Sequence, residues 1–347
     1  MMLIKSRAVD GMEQKIIKFG ILGTGMASDF HAIAVEKIEN AKLVGICDMN
    51  RERAEEFAQK HSARIYESFD EMLSDADIDA VCICTPSGYH TEQVIRAAEA
   101  GKHIVCEKPL AIKTSDFDLI IDACKRNSVK LTVISQFRFS PDIARAKEIV
   151  ESGVLGKLVM CDLYMKYWRD PEYYKNSNWR GTKSVDGGAA LINQGFHGVD
   201  IFLYLVGNAK VRASFAKASF HDIEAEDTAV AMLEFDSGAV GVIEASTCAF
   251  PGFGRRMEII GTNGHLILTE AIIEKLVVGR ETLIDNSSKI STKTSSDPMA
   301  MPYDNHIAQF RDFINAVING TEPRVTAEES LKALRVIEDT YKLNMVK

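Results

Sequence analysis

The first 135 residues carry a rhythm that leaves few folds open. Short apolar runs at 18–23, 42–47, 80–84, 103–106 and 130–135 alternate with helical patterns near 26–38, 51–60, 68–73, 89–100 and 114–126. The apolar runs are continuous and rich in β-branched residues, without apolar/polar alternation. This predicts strands covered by helices on both faces. Strands and helices that take turns along a chain form βαβ units with parallel strands, so a doubly wound α/β domain is expected over residues 16–135.

After residue 135 the rhythm changes. Pro141 opens a helix to about residue 151, and Gly153 and Gly156 end it. Longer strands with partial alternation follow at 157–168, 211–220, 229–235, 239–248, 256–260 and 265–268, joined by turns such as Asp236-Ser237-Gly238 and Thr262-Asn263-Gly264. Antiparallel neighbours joined by tight turns predict one open sheet. A helix is expected over 189–205, and two more over 305–318 and 327–343. The Ser-, Thr- and Lys-rich stretch 285–302 reads as a surface loop. Residues 136–347 are expected to form a second domain, meeting the first along a cleft. Residues 1–15 read as an N-terminal tail, with Met12 as a possible start that would leave residues 1–11 outside the native protein.

At 347 residues the chain is longer than one core usually organises, which agrees with two domains. Its 46% hydrophobic and 26% charged content is that of an ordinary globular protein. Lys plus Arg minus Asp plus Glu is 41 − 49 = −8, with no basic block, which argues against nucleic acid. No apolar stretch has the roughly 20 residues needed to span a bilayer, and no signal-peptide pattern is present, so no membrane association and a cytoplasmic location are expected. The seven cysteines lie mostly inside apolar runs and none forms a Cys-x-x-Cys pair, so neither a metal site nor a disulfide is expected.

The turn Gly23-Thr24-Gly25-Met26-Ala27-Ser28 follows a strand and opens a helix. The first glycine permits the turn, the second lets the backbone approach a pyrophosphate, and the helix N-terminus offers N–H groups to it. Ser28, in the third glycine position, is small enough for close helix-to-strand packing. Asp48 ends the second strand, 25 residues beyond Gly23, where an acid would meet the adenosine ribose. Its charge favours NAD over NADP, although Arg51 is near enough to bind a 2′-phosphate, so NADP stays open. Asp48 also reads as a helix N-cap. Thr85-Pro86 forms a rigid turn at the same sheet edge, beside the nicotinamide end. His90 follows on the next helix, either at the cofactor or satisfying the loop.

Glu107-Lys108-Pro109 comes directly after a strand at that edge, in a constrained turn where the proline leaves a cis peptide open. A lysine there is a candidate for handling a substrate proton. In the second half, Asn193, His197 and Asp200 fall at i, i+4 and i+7, a polar stripe on an apolar helix. A cleft holding substrate would give that stripe its partners, and His197 titrates near neutrality. A buried core histidine is the alternative. Both tryptophans and four of the nine tyrosines lie between Tyr164 and Trp179. Tyr167, Trp168, Arg169, Trp179 and Arg180 suit the apolar face and hydroxyl rim of a sugar-like ligand, or a dimer interface.

Gly23-x-Gly25-x-x-Ser28, Asp48, Thr85-Pro86, Glu107-Lys108-Pro109 and the segment from Gly187 to Asp200 together resemble the Gfo/Idh/MocA oxidoreductase family. The resemblance implies an N-terminal Rossmann domain, then an α/β domain with a large open, mainly antiparallel sheet often used to form homodimers or homotetramers. It implies NAD(P)-dependent hydride transfer at a hydroxyl or keto group of a sugar, sugar derivative or cyclitol. It also implies that Lys108 contacts the reacting hydroxyl and that His197 is its acid/base partner. One position departs from the pattern. Many members carry aspartate where this chain has Asn193, and asparagine orients but takes no proton. The proton therefore falls to His197, Lys108 or both.

The leading expectation is a dehydrogenase of a cyclic polyol or sugar. Two other classes share the scaffold: an NAD-dependent glycosidase with transient redox, which would copurify with its cofactor and release an aglycone, and a non-catalytic ligand-sensing or partner-binding protein.

Overall fold

The computed structural model describes residues 15–289 and 303–344. The N-terminal tail up to residue 14 and most of the expected loop at 285–302 lie outside the described residues. The N-terminal sheet has six strands: β1 (Ile17–Leu22), β2 (Ala41–Cys47), β3 (Arg64–Ile65), β4 (Ala80–Ile83), β5 (His103–Cys106) and β6 (Leu131–Val133). All pair in parallel, in the order β3-β2-β1-β4-β5-β6. The order reverses between β1 and β4, and the crevice at such a switch point is where these sheets bind ligands. Helices α1 (Met26–Glu36), α2 (Arg51–His61), α3 (Phe69–Ser74), α4 (His90–Glu99) and α5 (Phe117–Arg126) make the crossovers. Each of β1, β4, β5 and β6 is buried along most of its length, as two-sided cover requires.

Helix α6 (Pro141–Glu151) leads into an eight-stranded sheet, ordered β14-β13-β12-β11-β7-β10-β9-β8. Its strands are β7 (Leu158–Lys166), β8 (Ala209–Lys217), β9 (Thr228–Phe235), β10 (Val240–Ser246), β11 (Arg256–Gly261), β12 (Gly264–Thr269), β13 (Ile272–Val278) and β14 (Glu281–Asp285). Among the described strands of this sheet, only β7 and β10 pair in parallel. Two of these strands, β13 and β14, go beyond the expected set, which stopped at residue 268. The signal was present in the apolar run Leu276-Val277-Val278 before Gly279, whose φ of +59° makes the hairpin turn. Three further helices, α7 (Pro171–Lys175), α8 (Phe196–Val206) and, near the C-terminus, α10 (Ala327–Lys342), belong with this half, and α10 packs on β8 and α8.

Helix α9 (Asp304–Asn319) crosses back to the first sheet. Its Phe310 and Phe313 sit 5.9 and 6.3 Å from the ring of Phe19 on β1, and all three are fully buried. Burying each such ring contributes about 1.5–3 kcal/mol. The two halves are therefore joined by a returning helix as well as by the chain after β6.

Residues 189–205, expected as one helix, are two pieces. Ala190–Gln194 form a π-helical turn, and α8 starts after Gly195. A Cβ at Gly195 would lie 2.8 Å from the carbonyl oxygen of Ala190, so only glycine fits the join. The buried carboxylate of Glu226 accepts from the backbone N–H of Leu191 at 2.9 Å and of Ala189 at 3.3 Å, which anchors the irregular turn. Such turns are frequent at functional sites.

The expected polar stripe also needs correcting. Asp200 does not share a cleft with Asn193 and His197. It is 1% exposed and bound by Arg138, whose Nε and Nη2 donate to its two carboxylate oxygens at 2.9 and 2.6 Å. Arg138 lies just after β6 and also donates to Glu329 on α10 at 3.0 Å. This ion pair ties the end of the first domain to two helices of the second.

Candidate active site

A cleft of about 1840 Å³ runs along the carboxyl edge of the first sheet and under the second domain. Pockets for drug-sized ligands measure roughly 300–1,000 Å³, so this one has room for a dinucleotide and a second molecule. At its floor, Gly23 adopts φ +88°, and a Cβ there would meet the Cys84 carbonyl oxygen at 2.9 Å. A Cβ at Gly25 would meet nothing within 4 Å, because the position faces open cleft. Folding thus requires glycine at 23, whereas at 25 the small residue keeps space for something else. Gly25 is the N-cap of α1 and makes no side-chain cap, so the N–H groups of the first turn point at the cleft. The Ser28 hydroxyl donates to the Gly25 carbonyl and holds the turn closed. The loop therefore fits a pyrophosphate.

Asp48 accepts from Thr24 through the backbone N–H at 2.7 Å and the hydroxyl at 2.9 Å, and from the Asn50 N–H at 2.7 Å. Burial raises its pKa, but these bonds and the Arg53 charge outweigh burial and leave it below its ordinary value. An ionised acid in that position suits ribose hydroxyls and repels a phosphate. Arg51 is not where it was expected. Its guanidinium turns outward to Glu55 and Glu67, at 2.7 and 2.6 Å, and Arg53 reaches Asp48 at 3.1 Å instead. Arg51 is the first residue of α2 and Arg53 the third, so the helix rotation alone decides which faces the cleft.

Thr85 and Pro86 border the cleft. His90 does not: it is buried behind the loop, with Nδ1 2.7 Å from the Pro109 carbonyl and Nε2 2.8 Å from the Thr85 carbonyl. It braces the two strand-end loops against each other, the structural role weighed for it from sequence. The Lys108–Pro109 peptide is cis. Glu107 bonds His31 at 3.0 Å. Burial raises its pKa, but His31, Lys108 and His197 more than offset this and bring it down to about 2.

The Lys108 ammonium donates to the backbone carbonyl of Asn193 at 2.8 Å, across the cleft from β5 to the π-helical turn. Burial lowers its pKa, Glu107 and Asp186 oppose that fall, Arg169 adds to it, and the net shift is downward. His197 borders the same space, its ring edge-on to Phe137 at 5.4 Å and its Nδ1 buried with no partner among the described residues. Burial chiefly, then the Lys108 charge, holds its pKa well below the ordinary histidine value. The site therefore pairs a neutral imidazole with a desolvated ammonium.

Tyr167, Arg169, Trp179 and Arg180 line the cleft, but Trp168 does not. Strand alternation turns it to the other side, where it packs on Phe220 and Phe250 at 5.6 and 5.3 Å. The Arg169 guanidinium donates to the Gln194 side-chain oxygen at 2.7 and 3.1 Å, and Arg180 lies 4.1 Å over the Tyr173 ring. Several lining residues carried no expectation. Gln194 sits inside the segment from Gly187 to Asp200. Arg255 and His306 come from β11's leading edge and α9, with no motif around them. Burial keeps His306 neutral down to about pH 4. Among the described residues no group of His, Cys, Asp and Glu side chains has metal-holding geometry, and no helix is long and apolar enough to cross a membrane.

Comparison with known proteins agrees with this geometry. Residues 17–135 match the family described as "oxidoreductase family, NAD-binding Rossmann fold", and residues 147–343 match its C-terminal alpha/beta domain. The chain belongs to this family. Members similar to it include the myo-inositol 2-dehydrogenase of Thermotoga maritima, 30% identical over 92% of this chain and 93% of that protein. Among solved structures, the WlbA dehydrogenase of Bordetella pertussis in complex with NADH and UDP-GlcNAcA superimposes with TM-score 0.84 at 30% identity, covering 95% of this chain and 96% of that one. A levoglucosan dehydrogenase in complex with NADH and levoglucosan gives 0.81 at 25% identity, covering 95% and 97%. Like the family, this chain is an NAD-binding oxidoreductase with a Rossmann domain and a mainly antiparallel C-terminal sheet.

Proposed function

We propose that the cleft interconverts a ring hydroxyl and the corresponding ketone of a cyclitol, sugar or sugar derivative, with His197 and Lys108 handling the hydroxyl proton. The observation that carries this is the convergence of Lys108, Asn193 and His197 at the end of the cleft away from Asp48. When bound, the nicotinamide ring supplies the hydride acceptor for oxidation and the donor for reduction. Gly23, Thr24, Gly25, Met26 and Ala27 would hold the pyrophosphate, Asp48 the adenosine ribose, and Thr85, Pro86 and Glu107 the nicotinamide half. His197 is neutral at pH 7 and so is the base for the proton in oxidation. Lys108 donates to the reacting oxygen and stabilises the charge that develops there. Tyr167, Arg169, Trp179, Arg180 and Asn193 position the ring and its hydroxyls. The names of the relatives, inositol, levoglucosan and UDP-sugar dehydrogenases, support that substrate class.

The test is a spectrophotometric screen of inositols, levoglucosan, aldoses and UDP-sugars, in both directions, with NAD(H) and NADP(H). Turnover is expected with NAD rather than NADP, given the ionised Asp48. Failure across the panel with both cofactors would overturn the reading.

The outer face of the eight-stranded sheet supports assembly of a homodimer or homotetramer. Phe215, Met232 and Val240 are 54%, 57% and 49% exposed on neighbouring strands, with Met160 beside them at 46%. An apolar patch of this kind on a sheet needs a cover. Light scattering should give two or four times the 38.4 kDa chain mass, and Met232→Asp should shift it toward monomer. A wild-type monomer would sink this assignment.

A further inference from the structure

Asp186 is a carboxylate that the reaction as described leaves without a task. It is fully buried, seven residues before Asn193, and does not border the cleft. One of its oxygens accepts from the Gly181 N–H at 2.8 Å. The other accepts from the side-chain amide of Asn193 at 2.7 Å. Asn193 is thus gripped from two sides: Lys108 holds its backbone carbonyl and Asp186 holds its Nδ2. Its Oδ1 is left on the Gln194 side, where the Gln194 amide donates to it at 3.1 Å, and Arg169 in turn anchors Gln194.

An asparagine amide can turn over, exchanging donor for acceptor, whereas an ionised carboxylate only accepts. An ionised Asp186 therefore admits one orientation of Asn193, with nitrogen inward and oxygen on the side of Gln194. We propose that Asp186 is a positioning residue for the substrate: it locks the Asn193 amide so that Oδ1 serves as a neutral acceptor for a substrate hydroxyl, between Lys108 and Gln194. The inference rests on the dehydrogenase reading above. It explains how this chain works with an amide at position 193, since the acid is retained one layer behind it.

The lock is pH-sensitive. Charged and titratable groups reach Asp186 from several elements: Lys108 after β5, Glu226 before β9, Tyr174 on α7 and Tyr341 on α10. Burial dominates and, with Glu226 adding to it, outweighs the bonds from Gly181 and Asn193 and the Lys108 charge, raising the pKa to about 7. Once protonated, Asp186 has a donor of its own and the amide is free to turn.

The test uses the full-length enzyme with whichever panel compound turns over. Asp186→Asn should raise substrate KM about tenfold, the loss of one hydrogen bond to a neutral partner, with kcat and NADH affinity little changed. In wild type, kcat/KM should fall as the pH drops through neutrality, and Asp186→Asn should remove that limb. The exchanged pair Asp186→Asn with Asn193→Asp keeps the buried bond and should recover KM; it also serves if the single variant folds poorly. Wild-type KM and pH profile in Asp186→Asn, or a fall in kcat at constant KM, would overturn the proposal. If no compound turns over, the dehydrogenase reading fails first. Carbon NMR of the side-chain-labelled aspartates then decides this proposal by itself. One resonance should titrate near neutrality, vanish in Asp186→Asn and move in Asn193→Ala; an unmoved resonance refutes the coupling.

Discussion

Lys108→Met is expected to lower kcat by about 10²–10⁴-fold, the usual contribution of a positioned proton donor or acceptor, while leaving NAD⁺ affinity nearly intact. Methionine keeps roughly the length of the stem and removes the ammonium, with its charge and its N–H donors, including the one on the Asn193 carbonyl. The cofactor cradle is built elsewhere, from Gly23, Gly25, the start of α1 and Asp48, so its affinity has no reason to change. The fold should tolerate the change as well: Glu107 keeps its bond to His31, and the desolvation cost of a buried ammonium disappears. His197→Ala should produce a fall of similar size, and the two losses should not add, because both residues act on one proton. The pH dependence separates their parts. A base works above its pKa, and burial depresses that of His197, so its acid limb lies well below pH 6.5 and its protonation costs no activity between about pH 6 and 8. Steady-state kinetics with tritrated NAD⁺ affinity checks all of this. Full activity in both variants would mean that neither residue touches the proton.

Asp200→Ala should destabilise the protein by about 3–5 kcal/mol, the cost of leaving one partner of a buried pair alone. Arg138 would keep Glu329, which is itself 33% exposed, and its guanidinium would stay over the Tyr204 ring with two donors unmet. Replacing both partners at once, Arg138→Met with Asp200→Leu, should recover most of the loss, since well-packed apolar residues do not need pairing. Urea unfolding at unchanged m-value measures both variants. A single-variant loss below about 1 kcal/mol would show that the pair is not holding the domains together.

These two residues show where the sequence is readable. Lys108 was identifiable because its surroundings are local: a strand, a charged pair and a proline define its place at the sheet edge with no knowledge of distant residues. The glycine turn is legible for the same reason, because Gly23 needs a positive φ and Gly25 faces open space regardless of what packs elsewhere. Asp200 was misread because its partner is distant in sequence: it shares α8 with His197, but Arg138, 62 positions earlier, takes both of its carboxylate oxygens. The π-helical turn at Ala190–Gln194, anchored by Glu226 from 35 residues away, changes the rotation between Asn193 and the helix that follows. Arg51 and Arg53 show a milder form of the same limit, since the composition of α2 names two arginines and only the packing of the helix selects one.

By itself the sequence determined the parallel α/β domain, the glycine cradle with its acid at Asp48, and Lys108 at the strand end, because periodicity, turn chemistry and strand-end position are local properties of the chain. Tertiary structure alone decided which side chains meet across the cleft. It brought Lys108 to the carbonyl of Asn193 over 85 positions, placed Asp186 behind that asparagine, and returned α9 with His306 to the first sheet. The physical reason is that such meetings depend on how two sheets and a returning helix pack. Packing sums many long-range contacts, none of which leaves a mark in the residues next to those that finally touch.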